Sequence, residues 1–463
     1  MTGGRDKENS FNYYVGFAVK QGDMMRGRES AALICCLGLM ALYSIYQISL
    51  SNNIIKGQEN KKSSLSPHAP PHAPPSPIIC DLSHYRYDAC SINGPTVLDP
   101  TTSTFQAVGP NITMQKLRPY PRKWEKEVMS TIKELSLLTV TAPNATPSCH
   151  IRHQAPALVF STGGYTGNIF HDINDGFLPL FITTRHLHAG HPNRDIVLVI
   201  SDYHDWWLSK YADLLRSITR HPIINLDNDT SLHCFPSATI GLISHGFSAI
   251  NPSLMPNSES LADFGAFIHR SYAEKGLRPP PPPASGRPRL VLVAREGTVS
   301  RVFLNQEDIV RAAEAVGFEV AVFAPSSSTS LREAYRLISG SHAFLGVHGA
   351  ALTHLYFLRP KAAMIQVSPL GLGWVGEICY EEAARRLGLE YMEYKIRAEE
   401  SSLIEKYDRD DMVLKNPDEV SKKGWSYTTI YLKQDVRLDL ERVTVYLKKA
   451  YKIGKKLMEM EGQ

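Results

Sequence analysis

The feature that most restricts the fold is a repeated alternation of short apolar strands with helices over residues 156–396. The strand segments, among them "PALVFS", "DIVLVISD" and "HAFLGV", are nearly continuous apolar runs. Strands of this composition are typical of parallel sheets that helices cover on both faces. The alternation therefore predicts an α/β protein with parallel sheets and crossover helices.

Five consecutive prolines in "RPPPPPASGRPR" divide this alternation into two series. Proline fits neither a helix interior nor a sheet interior, so residues 279–288 are predicted to form a stiff, exposed linker. The linker separates an N-terminal lobe (79–278) from a C-terminal lobe (289–435), and an amphipathic stretch (436–463) predicts a C-terminal helix. Two such lobes would face each other across a cleft at the carboxyl ends of their strands, where open α/β sheets bind ligands.

Length and charge agree with this organisation and argue against one class of partner. The 463 residues suffice for two domains with sizeable cores, and the formal net charge is only +4. Lys and Arg are scattered along the chain rather than gathered on a basic face with interleaved aromatic residues. We therefore expect no nucleic-acid partner.

The N-terminal part of the chain predicts a membrane anchor. Residues 31–50 carry no charged side chain, and as a helix they would span about 30 Å, the thickness of a bilayer's hydrocarbon core. Arg26 and Arg28 lie just before this segment, so residues 1–30 are predicted to be a cytoplasmic tail. A buried core helix is disfavoured because the Pro- and Ser-rich residues 51–78 are typical of a flexible stalk.

In this orientation all residues beyond the span are lumenal. Three triplets are acceptors for N-glycosylation, at Asn111, Asn144 and Asn228. An oxidising lumen permits disulfides, and Cys80 and Cys90 are the first pair we would join because they flank a short segment. No Cys or His cluster has the spacing of a zinc site, so no metal is expected.

The second series contains a tight turn between a strand and a helix in "GVHGAALTHLYFLRP". His348, Gly349 and Ala350 form this turn, and the small residues in it would let backbone N–H groups approach an anion closely. An ordinary strand–helix turn would have the same composition. The turn alone therefore does not establish a binding site.

A second strand end favours the anion-binding interpretation. "VLVAREGTVSRVFLNQED" places Arg295 at the end of a strand, with Arg301 and Asn305 just before the next helix. Two arginines at the mouth of a parallel sheet can hold a diphosphate through paired, charge-assisted hydrogen bonds. The alternative is that they are solvated surface residues. Both strand ends together predict a pocket for a nucleotide or a nucleotide sugar.

The first series opens with a glycine-rich turn in "STGGYTGNIFHDINDGF". Gly163, Gly164 and Gly167 free the backbone for an unusual turn, and Asn168 begins the helix that follows. Asn168, His171 and Asp175 recur at intervals of three and four, which places them on one face of this helix. The alternative is a helix cap at Asn168 and a structural His–Asp pair.

A histidine beside a carboxylate is a suitable proton acceptor for a sugar hydroxyl. We expect His171 to be the base and Asp175 to orient and stabilise its imidazole. Asp172 lies on the adjoining edge of the helix, and direct action by Asp172 or Asp175 is the alternative.

With these residues in view, the chain resembles the plant glycosyltransferases of family 61, which decorate xylan in grasses. The resemblance covers residues 79–455 and rests on five blocks in order. These are "GGYTGNIFHDINDGFLPLF", "LVLVAREGTVSRVFLN", "GVHGAALTHLYFLRP" with "IQVSP", "GLGWVGEICYEEAARRLGLEYMEYKI" and "WSYTTIYLKQDVRLDLERV". By position, the residues matching the family's motifs are Asn168, His171, Asp175, Arg295, Arg301, Asn305 and His348 to Ala350. Gln366 stands where many relatives have a carboxylate.

The resemblance implies a single-pass type II protein of the Golgi membrane with a lumenal GT-B fold, in which two Rossmann-like domains face each other. It also implies an inverting, metal-independent transfer from a UDP-pentose donor to xylan. Xylose and arabinofuranose both remain possible donor sugars, because inversion of UDP-α-xylose or of UDP-β-L-arabinofuranose gives the family's linkages. The alternatives are a transferase for protein glycans and an inactive, membrane-tethered glycan-binding protein.

Overall fold

The structure is a computed structural model that describes residues 76–142, 148–189, 195–281, 283–297 and 300–461. The predicted tail, the membrane span and nearly all of the stalk lie outside the described residues, as does Asn144. Within the described part of the chain, no helix is both long enough and apolar enough to cross a membrane.

The first sheet has ten strands and is mixed. Its order is β4-β5-β3-β2-β10-β7-β8-β9, with β1 paired to β2 and β6 paired to β10. The strands are β1 (Ile78–Asp81), β2 (Ala89–Asp99), β3 (Thr104–Val108), β4 (Thr113–Leu117), β5 (Leu135–Val140), β6 (Ile151–Arg152), β7 (Ala157–Ser161), β8 (Val197–Ser201), β9 (Ile224–Asn225) and β10 (His233–Ile240). Parallel pairing from β7 to β9 and between β7 and β10 agrees with the sequence-based prediction.

The half of the first sheet around β2 to β4 departs from the predicted parallel arrangement. β2 is antiparallel to both β3 and β10, and β4 is antiparallel to β5. The side chains of β5 alternate between buried and partly exposed, which shows that only one of its faces is fully covered. Antiparallel strands tolerate one open face, whereas the continuous apolar runs of β7 and β8 are buried on both faces.

The second sheet has five strands, all parallel, in the order β12-β11-β13-β14-β15. They are β11 (Arg289–Val293), β12 (Glu319–Phe323), β13 (Ala343–Val347), β14 (Ala363–Ser368) and β15 (Glu390–Lys395). The chain passes from β11 to β12 on one side and then returns to β13 on the other. This reversal creates a crevice between the carboxyl ends of β11 and β13, the usual ligand position in an open α/β sheet.

Helices cover both sheets, and two of them contain a π-helical segment. Helix α2 (169–188) is π-helical at Asp172–Phe177, and helix α8 (373–386) is π-helical at Glu377–Glu381. The other α-helices are α1 (Lys126–Ser130), α3 (Asp205–Lys210), α4 (Ala212–Leu215), α5 (Leu261–Ala273), α6 (Gln306–Val316), α7 (Leu331–Ser339), α9 (Met412–Lys415), α10 (Pro417–Ser421), α11 (Trp425–Leu432) and α12 (Leu440–Glu461). Short 3-10 helices lie at Pro100–Thr102, Pro252–Leu254, Ala350–Phe357, Ala398–Glu400 and Ser402–Glu405.

The two series of elements share a hydrophobic core. One cluster of buried side chains contains Phe160 from β7 and Leu198 from β8 together with Phe344 from β13 and Met364 from β14. Polar contacts join the same halves, because Arg332 on α7 forms a two-point ion pair with Asp213 on α4, at 2.7 and 2.8 Å. Residues 76–461 accordingly belong to one compact unit.

The described residues contain two disulfides and two of the predicted glycosylation acceptors. Cys80 and Cys90, the pair favoured by the sequence, are bonded and join β1 to β2. A second disulfide joins Cys149 to Cys234, and Cys379 is a free thiol. Two of the predicted glycosylation sites, Asn111 and Asn228, are exposed.

Candidate active site

The glycine turn after β7 is shaped by close contacts that exclude a side chain. A Cβ atom at Gly164, whose φ is +62°, would lie 2.7 Å from the ring of Tyr120. At Gly163 a Cβ atom would lie 3.0 Å from atoms of Asp202 and Ile132. Gly164 is therefore favoured by both its positive φ and its close neighbour, whereas a side chain at Gly163 would require small shifts of Asp202 and Ile132.

Asn168 has the capping role that the sequence offered as the alternative. Its side-chain oxygen accepts a hydrogen bond of 3.0 Å from the N–H of Phe170, and the residue is exposed. Only His171 and Asp175 of the three aligned residues form a pair. Their Nδ1 and Oδ2 atoms are 2.7 Å apart, and both side chains are buried.

Arg122, which the sequence did not indicate, completes this group. Its Nε donates to Asp175 Oδ2 at 2.7 Å, and its Nη2 lies 3.1 Å from His171 Nδ1. Arg122 also forms an ion pair with Glu125, which accepts a 2.6 Å hydrogen bond from the hydroxyl of Tyr165. Arg122 precedes His171 by 49 positions, so only the folded chain brings them together.

The environment keeps the imidazole of His171 neutral. Burial lowers its pKa to about 4, with a further contribution from the positive charge of Arg122, although Asp175 opposes the shift. Burial alone would raise the pKa of Asp175, but Arg122 and His171 outweigh burial and lower it. Nδ1 faces both Asp175, which can only accept, and Arg122 Nη2, which can only donate. In the tautomer that donates its Nδ1–H to Asp175, Nε2 is the basic nitrogen.

Asp172 has a different set of partners from the neighbouring His171. Its Oδ1 accepts from the Gly167 N–H at 3.1 Å and from Trp207 Nε1 at 3.3 Å, and its Oδ2 accepts from the Tyr211 hydroxyl at 2.8 Å. Burial raises the pKa of Asp172 to about 6. Both carboxylate oxygens are used within the fold, so the geometry favours a structural role for Asp172.

The donor-side residues converge at the crevice between β11 and β13. A Cβ atom built at Gly349 would lie 3.4 Å from Arg295 Nη1 and 3.5 Å from Arg301 Nη1, so the glycine keeps the space before both guanidinium groups open. Arg301 Nη1 also donates to the carbonyl of His348 at 3.3 Å. The structure therefore places Arg295 and Arg301 next to the turn at His348 and Gly349.

The two arginines carry charge that the described residues do not neutralise. Arg295 Nη1 and Arg301 Nε are buried atoms without a hydrogen-bond partner among these residues. Burial lowers the pKa of Arg301 to about 10, with Arg295 contributing, and it also lowers the pKa of Arg295. Burial and both arginines lower the pKa of His348 to about 3. An anionic ligand would supply the missing partners.

Two residues of the predicted donor set have other surroundings. Asn305 exchanges two hydrogen bonds with the backbone of Leu438, at 2.9 and 3.0 Å, and so fastens the C-terminal segment to the start of α6. Gln366 is fully buried within β14, and its Nε2 would be 2.1 Å from a Cβ atom at Gly376 in α8. Ala350 follows Gly349 and begins a 3-10 helix rather than the α-helix that the sequence predicts.

The loop that carries Arg301 is held by the segment before α12. The N–H of Arg301 donates to the carbonyl of Gln434 at 2.8 Å, and the N–H of Val302 donates to Asp435 at 3.1 Å. Gln434 is fully buried and bonds to both backbone groups of Leu370. The resemblance included this segment, but the residues alone gave no indication that it positions an arginine.

An aromatic pair joins the two halves of the site. The ring of Phe170 lies 5.3 Å from that of His171 and 5.9 Å from that of Tyr380. Tyr380 lies 5.4 Å from the ring of His348, and its hydroxyl donates to the carbonyl of Gly349 at 2.8 Å. Phe170 and Tyr380 therefore form a chain of buried ring contacts that runs from His171 to His348, beside the two arginines.

In the portion of the chain that the structure describes, no cluster of three or more His, Cys, Asp or Glu side chains could hold a metal ion. The sequence Asp227-Asn228-Asp229 resembles a metal motif, but Asp227 accepts from the N–H of Tyr203 and Asp229 pairs with His233.

Comparisons of the sequence with known proteins place the chain in a family. A family model described as Glycosyltransferase 61 matches residues 125–365, which contain the glycine turn and both arginines. The xylan glycosyltransferase MUCI21 of Arabidopsis thaliana is 38% identical over 87% of this chain and 85% of its own length. In Oryza sativa, the beta-1,2-xylosyltransferase XYXT1 is 37% identical over 81% of this chain and 84% of its own length. The alpha-1,3-arabinosyltransferase XAT3, from the same species, is 34% identical over 79% of this chain and 63% of its own length.

The fold, the convergent site and these matches define the class of the protein as a glycosyltransferase. More particularly, the chain belongs to the glycosyltransferase 61 family.

Proposed function

We propose that this chain is an inverting glycosyltransferase of the Golgi membrane that transfers a pentose from a UDP-sugar to xylan. The observation that carries the proposal is the presence of two arginines with unpartnered N–H groups at one end of a chain of ring contacts. The His171–Asp175 pair lies at the other end of this chain, which Phe170 and Tyr380 form. The relatives include a xylan glycosyltransferase, a xylosyltransferase and an arabinosyltransferase, and these activities support the proposed acceptor and the class of donor.

The second sheet would bind the donor. In a GT-B arrangement of two Rossmann-like lobes, the UDP diphosphate would lie at the crevice between β11 and β13, where Arg295 and Arg301 converge on Gly349. Each guanidinium can donate paired hydrogen bonds to phosphate oxygens. The same charges would stabilise UDP as it leaves, so the transfer is proposed to need no metal ion.

The first sheet would supply the base. The acceptor hydroxyl attacks the anomeric carbon while the bond to UDP breaks, and the hydroxyl proton passes to Nε2 of His171. Asp175 fixes the tautomer and stabilises the imidazolium that forms. One displacement inverts the anomeric centre, which would give a β-xyloside from UDP-α-xylose or an α-arabinofuranoside from UDP-β-L-arabinofuranose.

The membrane topology is part of the same proposal. Residues 31–50 would anchor the chain as a single-pass type II protein, with the site in the lumen. The two disulfides support exposure of the described residues to an oxidising compartment.

A donor and acceptor screen tests the function. Full-length protein in detergent is incubated with UDP-xylose, UDP-arabinofuranose or UDP-N-acetylglucosamine, each with xylohexaose or a folded protein acceptor and with or without EDTA. The expected result is transfer of a pentose to xylohexaose at a rate that EDTA does not change. Transfer of N-acetylglucosamine to protein alone, or no transfer from any donor, would contradict the proposal.

A further inference from the structure

Adjacent tryptophans at the start of α3 have opposite environments. Trp207 is only 2% exposed, and its Nε1 donates to Asp172. Trp206 is 47% exposed. The ring of His204 lies 5.7 Å from that of Trp206 with an interplanar angle of 24°, so the two rings are stacked. The indole of Trp206 is thus left about half exposed, while that of its neighbour is buried.

Trp206 lies against the turn that carries the proposed base. Its ring atoms are 3.7 and 3.9 Å from the position of a Cβ atom at Gly167, which is itself exposed. Gly167 has φ +106°, a conformation that favours glycine, and it precedes His171 by one helical turn. Any larger residue at this position would cover part of the indole next to the site.

Asp172 links the helix of the proposed base to the turn and to the helix that surround the indole. One of its oxygens accepts from both Gly167 and Trp207, which are the neighbours of the indole in the turn and in α3. Because Asp172 follows His171 directly in α2, one buried carboxylate connects the helix of the base to the helix of Trp206. This connection gives a positional purpose to a carboxylate that the proposed chemistry does not use.

A second aromatic group near the base is already occupied by protein cations. The guanidinium of Arg86 lies 5.1 Å from the ring of Trp124 and 4.5 Å from that of Phe247, and Arg122 lies over the same two rings. Tyr85, 55% exposed, also has the Arg86 guanidinium 5.1 Å from its ring. Trp206 has no such cation–π partner among the described residues, which makes it the better platform for a neutral ring.

From this placement we propose that Trp206 is a stacking platform for one pyranose ring of the acceptor, beyond the sugar that receives the pentose. The inference rests on the proposed function, since it takes the acceptor to be a chain of neutral pyranose rings. The C–H face of a pyranose can pack on an indole, and an aromatic surface holds the ring with little loss of side-chain conformational entropy. Trp206 is then a residue that determines acceptor length preference and takes no part in the chemistry.

The test compares Trp206→Ala with wild-type full-length protein in detergent, using xylobiose and xylohexaose as acceptors. We expect the KM for xylohexaose to rise roughly tenfold, the usual effect of truncating an aromatic anchor. The KM for xylobiose, the KM for the UDP-sugar and kcat should change less than twofold. Trp206→Phe should restore most of the loss, because it keeps a flat apolar ring.

Two further variants serve as controls. Tyr427→Ala removes an aromatic side chain of similar exposure (44%) on α11 and should leave every parameter unchanged. Tyr85→Ala tests the rival aromatic group. An unchanged KM for xylohexaose in Trp206→Ala, or a rise that occurs only in Tyr85→Ala, would overturn the proposal. If Trp206→Ala is unstable, the comparison of Trp206→Phe with Trp206→Gln decides instead.

Failure of the proposed function gives a distinguishable result. Wild-type protein that does not transfer a pentose can still be titrated with xylohexaose by calorimetry. Binding that Trp206→Ala weakens would retain the platform while the transfer proposal falls. Absence of binding by the wild type would remove both.

Discussion

The charged side chains beside the first sheet and those beside the second differ in how the fold compensates them. Arg122 is buried with Asp175, Glu125 and His171, so its positive charge meets protein partners. Arg295 and Arg301 converge on a glycine and keep buried N–H groups without partners among the described residues. The first group is therefore complete before substrate arrives, whereas the second has capacity for an anion.

This difference follows from what each half has to do. A general base must already be oriented and neutral when the acceptor binds, which the Asp175 contact and the lowered pKa of His171 provide. A donor site must favour the charged ligand over the empty state, and partners within the protein would compete with the diphosphate. Substitutions in one half should change its own function or stability and leave the other half unaffected, and this difference tests the comparison.

The largest expected effect is on catalysis by the first half. His171→Ala should lower kcat by about 10²–10⁴-fold, because transfer then lacks its general base. The KM for the UDP-sugar should stay within threefold of wild type. Initial rates across donor concentrations measure both parameters, and His221→Ala, a partly exposed histidine away from the site, is the control. Unchanged kcat would remove His171 from the chemistry.

The second prediction concerns the arginines of the other half. Arg295→Ala combined with Arg301→Ala should raise the KM for the UDP-sugar by at least about 100-fold, since each charge-assisted hydrogen bond to phosphate contributes about 1.5–3 kcal/mol. The acceptor KM should change little. Arg295→Lys and Arg301→Lys, each made alone, should raise this KM by an intermediate amount, because lysine keeps the charge but cannot donate paired hydrogen bonds. A KM equal to that of wild type in the double variant would contradict the donor assignment.

Stability separates the two halves most directly in the absence of ligand. Arg122→Met should cost about 3–5 kcal/mol of unfolding free energy, because the carboxylate of Asp175 is left buried without its cation. Arg301→Met should change stability by less than about 1 kcal/mol, since no ion pair is lost. Thermal or denaturant unfolding of both variants measures the difference. Equal losses would show that both halves are compensated alike.

The smallest expected effect is on the pH profile. With a His171 pKa of about 4, kcat should decline only as the pH falls toward 4, rather than near the ordinary value of about 6.5. Arg122→Gln should move this acid limb upward, because the arginine helps to lower the pKa, and Arg122→Lys should leave it in place. The same depressed pKa makes stability complete above about 6.5 and weakens it as pH falls from there toward 4.

The sequence was sufficient for the second sheet and for the regions of the site. β11, β13 and β14 are continuous apolar runs, and only a parallel sheet with two covered faces suits them. The positions of Arg295 and Gly349 follow from this prediction, because both residues come after neighbouring strands that end at one edge. The predicted parallel arrangement was wrong for the part of the first sheet around β2. The strands there are not continuous apolar runs, so their direction could not be predicted from the sequence.

The rest depended on distant contacts. The pairing of Arg122 with Asp175, the bonds between Asn305 and Leu438 and the burial of Gln366 beneath α8 join residues that lie far apart or between layers. The different fates of Trp206 and Trp207 could not be read locally, because two adjacent aromatic residues on a short helix have equal propensity for the core. Helix α2 contains a π-helical segment, yet the spacing between His171 and Asp175 still brings them into contact.

Calorimetric titration with UDP tests the central claim most directly, because it separates donor binding from proton transfer. We predict that wild-type protein and His171→Ala bind UDP with affinities within threefold of each other, and that the double arginine variant binds at least about 100-fold more weakly. Loss of UDP binding in His171→Ala, or retention of wild-type affinity by the double variant, would contradict the assignment of base and donor site to the two sheets.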